Sequence, residues 1–336
     1  MKELTICAED SSQRSDKYLR RLLPQAAGGF LYKMLRKKNI TLNDGKASGD
    51  ERLKEGDVVR VWFSDETFAK LSARKEAPQE YEALKDFPVR LEVLFEDRDR
   101  IFLNKPAGIL SQKAKTLDVS LNEHLRAYLI QHEGLSFESY RDFRPSVMNR
   151  LDFGTSGVVA AAKTRSGARL LSEWIRSHQL KKEYLCLVRG HFQSEGLKIS
   201  YLFKDETCNQ VTLFREPQEG AARIETVFSC VKAYERCSLV AAELITGKSH
   251  QIRAQLSGEG HPILLDAKYG REEDDRALRK TLSYSGQLLH AWHMRLPDGG
   301  EVFAGLPRAF GQAKAFLEKR EDEWQHGRRG GFGAPR

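Results

Sequence analysis

Apolar residues in this chain fall into short runs separated by charged or Gly-containing turns, and the period of those runs changes along its length. Leu19, Leu22 and Leu23, then Leu31, Met34 and Leu35, recur at helical spacing, which predicts amphipathic helices near Asp16 to Leu23 and Gly29 to Lys38. Strand-like segments flank them near Leu4 to Ala8 and at Val58 to Phe63, and Asp44-Gly45 after Ile40-Thr41-Leu42 is a hairpin signal. Residues 65 to 88 are charged, lack apolar periodicity and contain Pro78 and Pro88, so they read as a flexible linker. Beyond Val89, strand-like runs (Leu91 to Phe95, Ile101 to Leu103, Val158 to Ala162, Tyr184 to Val188, Leu239 to Leu244) alternate with helical patterns, clearest over Ser120 to Leu129 and Ser166 to Ile175. Strands with scattered helices predict an α+β class rather than a doubly wound sheet. The expected organisation is a small α/β domain (1–64), a linker (65–88), a large domain (89–320) and a disordered Gly/Arg-rich tail (321–336), without internal repeats.

Composition narrows the class. At 336 residues and 40% apolar content the chain can bury a substantial core, and no run of about 18 apolar residues is present to span a membrane as a helix. The N-terminus has no long apolar run or small-residue cleavage pattern, so a cytoplasmic location is expected. Five cysteines form no C-x-x-C pair, and their odd number argues against a full disulfide framework. Cys186 lies in an apolar run and is expected in the core, and neither a metal site nor a cofactor motif is evident.

A net charge of +8 favours a polyanionic partner, and its distribution sharpens the point. Arg14, Lys17, Arg20, Arg21, Lys33, Arg36, Lys37 and Lys38 face a single acid, Asp16, across that span. A charge run is ordinarily a solvated face. Interleaved with leucines at helical spacing, this one predicts two short amphipathic helices with a cationic outer surface.

The segment Asn149-Arg150-Leu151-Asp152-Phe153-Gly154-Thr155-Ser156-Gly157 sets a carboxylate beside a guanidinium in a Gly-punctuated loop, just before the buried-strand pattern of Val158 to Ala162. An Asp so placed is a candidate nucleophile, although Asp and Gly also mark ordinary turns. Two later segments bear on the choice: Lys182-Glu183-Tyr184, and Thr246-Gly247-Lys248-Ser249-His250-Gln251-Ile252-Arg253 followed by Gly260-His261-Pro262-Ile263 and Asp266-Ala267-Lys268-Tyr269-Gly270.

In this order, and with Asn104-Lys105-Pro106-Ala107-Gly108 ahead of them, these segments resemble the RluA/RluC-type RNA pseudouridine synthases over residues 88 to 310 or so. Two positions depart from the family's usual pattern: Asn149 replaces His and Lys248 replaces Arg. Asn149 cannot carry a proton near neutral pH, and Lys248 keeps the charge but loses the planar fork. Residues 1 to 64 resemble the small RNA-binding module first known from ribosomal small-subunit protein S-four, which commonly precedes the family's catalytic domain.

The resemblance implies a mixed, largely antiparallel central sheet with a cleft across its middle, no cofactor, and RNA as partner, large-subunit ribosomal RNA first and transfer RNA second. It makes Asp152 the carboxylate that starts the reaction, by attacking the sugar, adding to the uracil ring or deprotonating the ribose. Tyr184 would stack on the flipped uracil, Arg253 would pair with Asp152, and Arg150 would fill the space the base vacates. His250 and His261 are left outside the catalytic set, because a lone His is more often structural. Leu256 and Ile263 are expected as pocket wall or core, and the protein as a monomer. Two rival readings stand beside this one. A non-catalytic RNA-binding or ribosome-assembly protein would be favoured by loss of Asp152 or Arg253, and a nucleoside hydrolase would leave the basic N-terminal helices idle.

Overall fold

The computed structural model describes residues 1–7, 10–73, 79–205, 210–234, 236–270, 272–284 and 286–317. The tail expected to be disordered, residues 321–336, lies outside them, as does Cys208. The chain divides into two compact units, one from the described residues of Met1–Asp86 with Leu135–Arg144, the other from Phe87–Gly134 and the described residues from Pro145 onward.

The first unit begins with β1 (Lys2–Thr5), α1 (Ser15–Leu22), α2 (Gly28–Arg36), β2 (Ile40–Leu42), β3 (Gly45–Lys46) and β4 (Val58–Val61). Its antiparallel sheet has the order β1-β4-β2-β3. The helical spacing seen in the sequence turns Tyr18, Leu19, Leu31, Met34 and Leu35 inward onto Ile6, Ile40, Val59 and Val61, a single apolar core. The hairpin turn falls one residue earlier than the Asp44-Gly45 signal suggests. Asn43 and Asp44 both take positive φ (49° and 62°), as a two-residue turn of primed type requires, and Gly45 already belongs to β3. Asn43 is fixed there by its side chain, which accepts from the Val58 amide at 2.8 Å and donates to Asp57 at 2.9 Å.

Residues 65 to 88, expected as a linker, contain α3 (Asp65–Ser72) and α4 (Gln79–Lys85). Ser64 caps α3 by accepting from the Thr67 amide, and α4 buries Tyr81 and Leu84. Their partners come from far along the sequence: Tyr81 donates to the Leu135 carbonyl at 2.8 Å, and Tyr140 donates to Glu80 at 3.0 Å. With no buried position in α3 and only two in α4, the apolar period is too sparse to stand out among the charges.

The second unit continues with β5 (Val93–Glu96), β6 (Arg100–Lys105) and α5 (Leu121–Gln131); α6 (Phe137–Asp142) sits in the segment that joins the first unit. Then come β7 (Ser146–Val147), β8 (Ser156–Ala162), α7 (Arg165–Arg176), β9 (Lys181–Arg189), β10 (Gly196–Asp205), β11 (Gln210–Phe214), β12 (Ala222–Ala233), β13 (Cys237–Leu244), α8 (Gln251–Gly258), α9 (Glu272–Thr281), β14 (Leu289–Arg295) and β15 (Glu301–Phe303). Among the described residues these strands form one sheet of order β11-β10-β12-β13-β9-β14-β8-β6-β5, with β15 on β14 and β7 on β8. Every pairing is antiparallel except β14 with β8, so the sheet is mixed and largely antiparallel. Every residue of β8 is buried, which explains its unbroken apolar pattern. It enters the sheet through Gly157, whose φ is +115°; a Cβ there would lie 2.1 Å from the Ala291 carbonyl oxygen, so only glycine fits. Cys186, Leu256 and Ile263 are core residues.

Beside this entry, Ser156 hydrogen-bonds His290 Nδ1 at 2.8 Å while the ring's Nε2 faces the Ala304 carbonyl at 3.2 Å. A carbonyl can only accept, so Nε2 carries the hydrogen and Nδ1 accepts from the serine, which satisfies a neutral ring. Burial pushes the imidazole down to about 4 from its ordinary 6.5. The unfolded chain therefore takes up a proton that the folded one refuses. This contribution to stability is complete above about pH 6.5 and is lost as pH falls toward about 4, by up to about 3 kcal/mol. Denaturant titrations of the protein and of His290→Gln across that range test the assignment: the variant's stability should fall less steeply, and equal slopes would refute it.

Candidate active site

The loop before β8 is held by its backbone. Ser111 bonds Leu151 at both ends, its hydroxyl accepting from the Leu151 amide at 3.0 Å and facing the Leu151 carbonyl at 2.9 Å. Asn149 Oδ1 accepts from the Ala160 amide of β8 at 2.7 Å, so this residue ties loop to strand and needs no proton of its own. The Phe153 carbonyl accepts from the Gly108 amide at 2.8 Å, and the Thr155 amide closes a turn onto the Asp152 carbonyl at 3.0 Å. Asp152 thus stands at the rim of a cleft of about 1220 Å³, its carboxylate one-quarter exposed.

Arg253 reaches this carboxylate from α8, donating from Nη1 to Asp152 Oδ2 at 2.7 Å. Its other edge is clamped by Asp266, with Nε to Oδ2 at 2.7 Å and Nη2 to Oδ1 at 2.9 Å. The fork of one guanidinium therefore joins two carboxylates, one buried and one facing the cleft. Burial pushes the Asp266 carboxyl up, but the bonds and charge of Arg253 and the amides of Lys268 and Tyr269 outweigh it and hold the group below its ordinary value. Burial also opposes the charge on Arg253, and Asp266 and Asp152 together more than compensate. Tyr184, on β9, lines the same cleft; burial first and the nearby Asp152 second raise its phenol well above the usual range, so it stays protonated.

These features meet an independent likeness. Residues 99–258 match the family model described as RNA pseudouridylate synthase. The chain is 34% identical over 322 residues to the ribosomal large subunit pseudouridine synthase C of Haemophilus influenzae, covering 95% of both chains. It is 32% identical over 311 residues to the Escherichia coli protein of the same name, covering 90% of this chain and 91% of that one. This chain belongs to the RNA pseudouridylate synthase family. Its fold is also that of the human RNA pseudouridylate synthase domain containing 4, with a TM-score of 0.54, 22% identity, and coverage of 71% of this chain and 95% of that one. The enzyme is accordingly an isomerase that converts uridine to pseudouridine in RNA.

Within this synthase the structure brings Asp152, Tyr184 and Arg253 to one cleft, and it sets near Asp152 or Arg253 further groups that the sequence reading did not select. Asp266 is the clamp just described. Lys105 is fully buried, donates to the Pro106 and Ile109 carbonyls at 2.9 and 2.8 Å, and lies 3.4 Å from that of Phe153. Burial pushes its ammonium down to about 7, against the pull of Asp152. His250, set aside in the sequence reading, caps α8 in a left-handed conformation (φ 57°), with Nε2 4.0 Å from Asp152 and Nδ1 2.9 Å from the Tyr269 hydroxyl. Burial lowers its pKa while Asp152 works the other way. His261, by contrast, bonds the Arg189 carbonyl. All four lie in segments already conspicuous in the sequence, yet nothing in spacing says which of their side chains turn toward Asp152.

Arg150 is exposed on the cleft rim. Of the N-terminal basic residues, Arg14, Lys17, Arg20, Lys33, Arg36, Lys37 and Lys38 are exposed; Arg14 also pairs with Asp16 at 3.1 Å, and the half-buried Arg21 pairs with Asp10 at 2.6 Å. No described helix is long and apolar enough to cross a membrane, and no described cluster of His, Cys, Asp or Glu could hold a metal ion.

Proposed function

We propose that this enzyme, acting as a monomer, isomerises specific uridines of large-subunit ribosomal RNA, with Asp152 as the reacting carboxylate. The observation that carries the reading is the Asp152–Arg253 pair at 2.7 Å in a cleft shared with Tyr184. The names of the relatives supply the RNA. In the reaction the N1–C1′ bond breaks, C5–C1′ forms, C5 loses its proton and N1 gains one. A carboxylate at this position could begin by attacking C1′, by adding to the uracil ring or by deprotonating the ribose. Arg253, itself fixed by Asp266, aims the carboxylate. Tyr184 gives the detached uracil a flat apolar contact and a neutral hydroxyl through which a proton can pass. Arg150 lies two residues before Asp152 and is free to occupy the space from which the base is drawn.

Mapping pseudouridine in total RNA from a strain lacking the gene, against the same strain with it restored, tests the target. Sites lost from large-subunit ribosomal RNA support the proposal. Losses confined to transfer RNA would move the activity there, and no loss would reject it.

Residues 1–64 serve as an S-four-type RNA-holding module in this proposal. Changing Lys33, Arg36, Lys37 and Lys38 together to Gln should weaken binding to a large-subunit ribosomal RNA transcript and lower the slope of log affinity against log salt by up to about 0.7 per lost phosphate contact. An unaltered slope would show that these helices do not touch RNA.

A further inference from the structure

Lys182 precedes Tyr184 by two residues on β9, so both side chains leave the same face of the sheet and both line the cleft. Its register partner on β14 is Met294, which is buried, and the cleft wall beside it includes Leu244. An ammonium in these surroundings should be paired, as Lys163 is with Glu96 at 2.6 Å. Among the described residues Lys182 has no hydrogen-bond or ion-pair partner. Its Nζ instead lies against Gly247, 3.7 Å from where a Cβ would stand, and the absent side chain leaves the approach from the cleft open. The next residue, Lys248, is exposed, lines the same cleft and also lacks a side-chain partner among the described residues.

Two cations thus stand beside an open glycine, and neither is paired with Asp152. Lys105 and Tyr184 both respond to the Asp152 charge, whereas burial alone accounts for the lowered proton affinity of Lys182. A polyanionic strand entering the cleft would supply the opposite charge. We propose that Lys182 and Lys248 form a subsite for a phosphodiester group of the RNA strand that carries the reacting uridine. The inference rests on the reading of Asp152 and Tyr184 as the reacting centre, since that places a nucleotide in this cleft. It assigns the strand's position to this pair, and it gives Lys248 a use for a single point charge where a planar fork is not needed.

The test measures binding, so that it reads independently of turnover. The full-length protein, K182M, K182R and K248M are titrated with a fluorescent single-stranded oligouridylate and with the same oligonucleotide carrying uncharged methylphosphonate linkages, over a range of salt. K182M should bind the oligouridylate roughly tenfold or more weakly, with a salt slope lower by about 0.7. K248M should move both quantities in the same direction, K182R should stay near the unmodified protein, and the preference for charged linkages should shrink in the two Met variants. Thermal melting separates a folding defect from a lost contact. Should K182M lose stability, the exposed Lys248 and the charge-preserving K182R still decide the matter. Unchanged affinity and slope in folded K182M and K248M would overturn the subsite, as would an undiminished preference for charged linkages. If pseudouridine formation itself were absent from the unmodified protein, the reading of the reacting centre would fail while these binding results stood.

Discussion

Asp152→Asn is expected to lower the single-turnover rate of pseudouridine formation by on the order of 10⁴-fold or more, with RNA affinity nearly unchanged. The amide has almost the shape of the carboxylate, and its oxygen can still accept from Arg253 Nη1. What disappears is the negative charge and the nucleophilic oxygen. The loop should keep its path, because Leu151, Phe153 and Ala160 are anchored through backbone groups and the side chains of Ser111 and Asn149. Release of tritium from RNA carrying tritium at uracil C5 measures the step directly, since C5 must give up its hydrogen to join the ribose. A variant within about tenfold of the normal rate would remove Asp152 from the chemistry.

The pattern alone draws notice to Asp152 through its position, without deciding its role. It lies in the loop that leads into a strand buried on both faces, and such strands leave an unbroken apolar run whatever the rest of the fold does. The two N-terminal helices were legible for a related reason, as each turns one leucine-rich face to a core. Elsewhere the pattern misleads. On β10 the apolar alternation of Leu197, Ile199 and Phe203 points outward, with those side chains at 51%, 42% and 42% exposure, while Leu202 is buried on the opposite face. In α8, Gln251 through Leu256 are all buried whatever their polarity, so no helical period remains to be seen. The site shows the same division. Asp152, Tyr184 and Arg253 were chosen through a resemblance, because 101 residues separate the paired Asp and Arg and no local rule links them. Asp266 and Lys182 sat in conspicuous segments without a role, since a clamp and an unpaired cation are defined by neighbours that only the folded chain supplies.

Arg253→Ala should damage both activity and stability, and the pH dependence of the second effect separates structure from chemistry. Removing the guanidinium leaves Asp266, which has no exposed side-chain surface, as a buried carboxylate facing a void. Breaking a buried pair in this way costs about 3–5 kcal/mol. In the intact protein the Asp266 carboxyl is held below its ordinary value, so its contribution is present above the unfolded pKa and is lost as pH falls. In the variant only the Lys268 and Tyr269 amides still oppose burial, so the folded-state value rises from where Arg253 had held it. Acid then relieves the penalty, because the buried group takes up a proton. The stability gap between the two proteins, measured by denaturant titration, should therefore narrow as pH is lowered from about 7 toward about 4. A gap independent of pH would mean that Asp266 finds another partner when Arg253 is gone. Turnover, measured where the variant is still folded, should fall at least about 100-fold, because an unsupported Asp152 is no longer aimed into the cleft. A folded Arg253→Ala enzyme with the normal rate would confine the Asp152–Arg253–Asp266 chain to holding α8 in place.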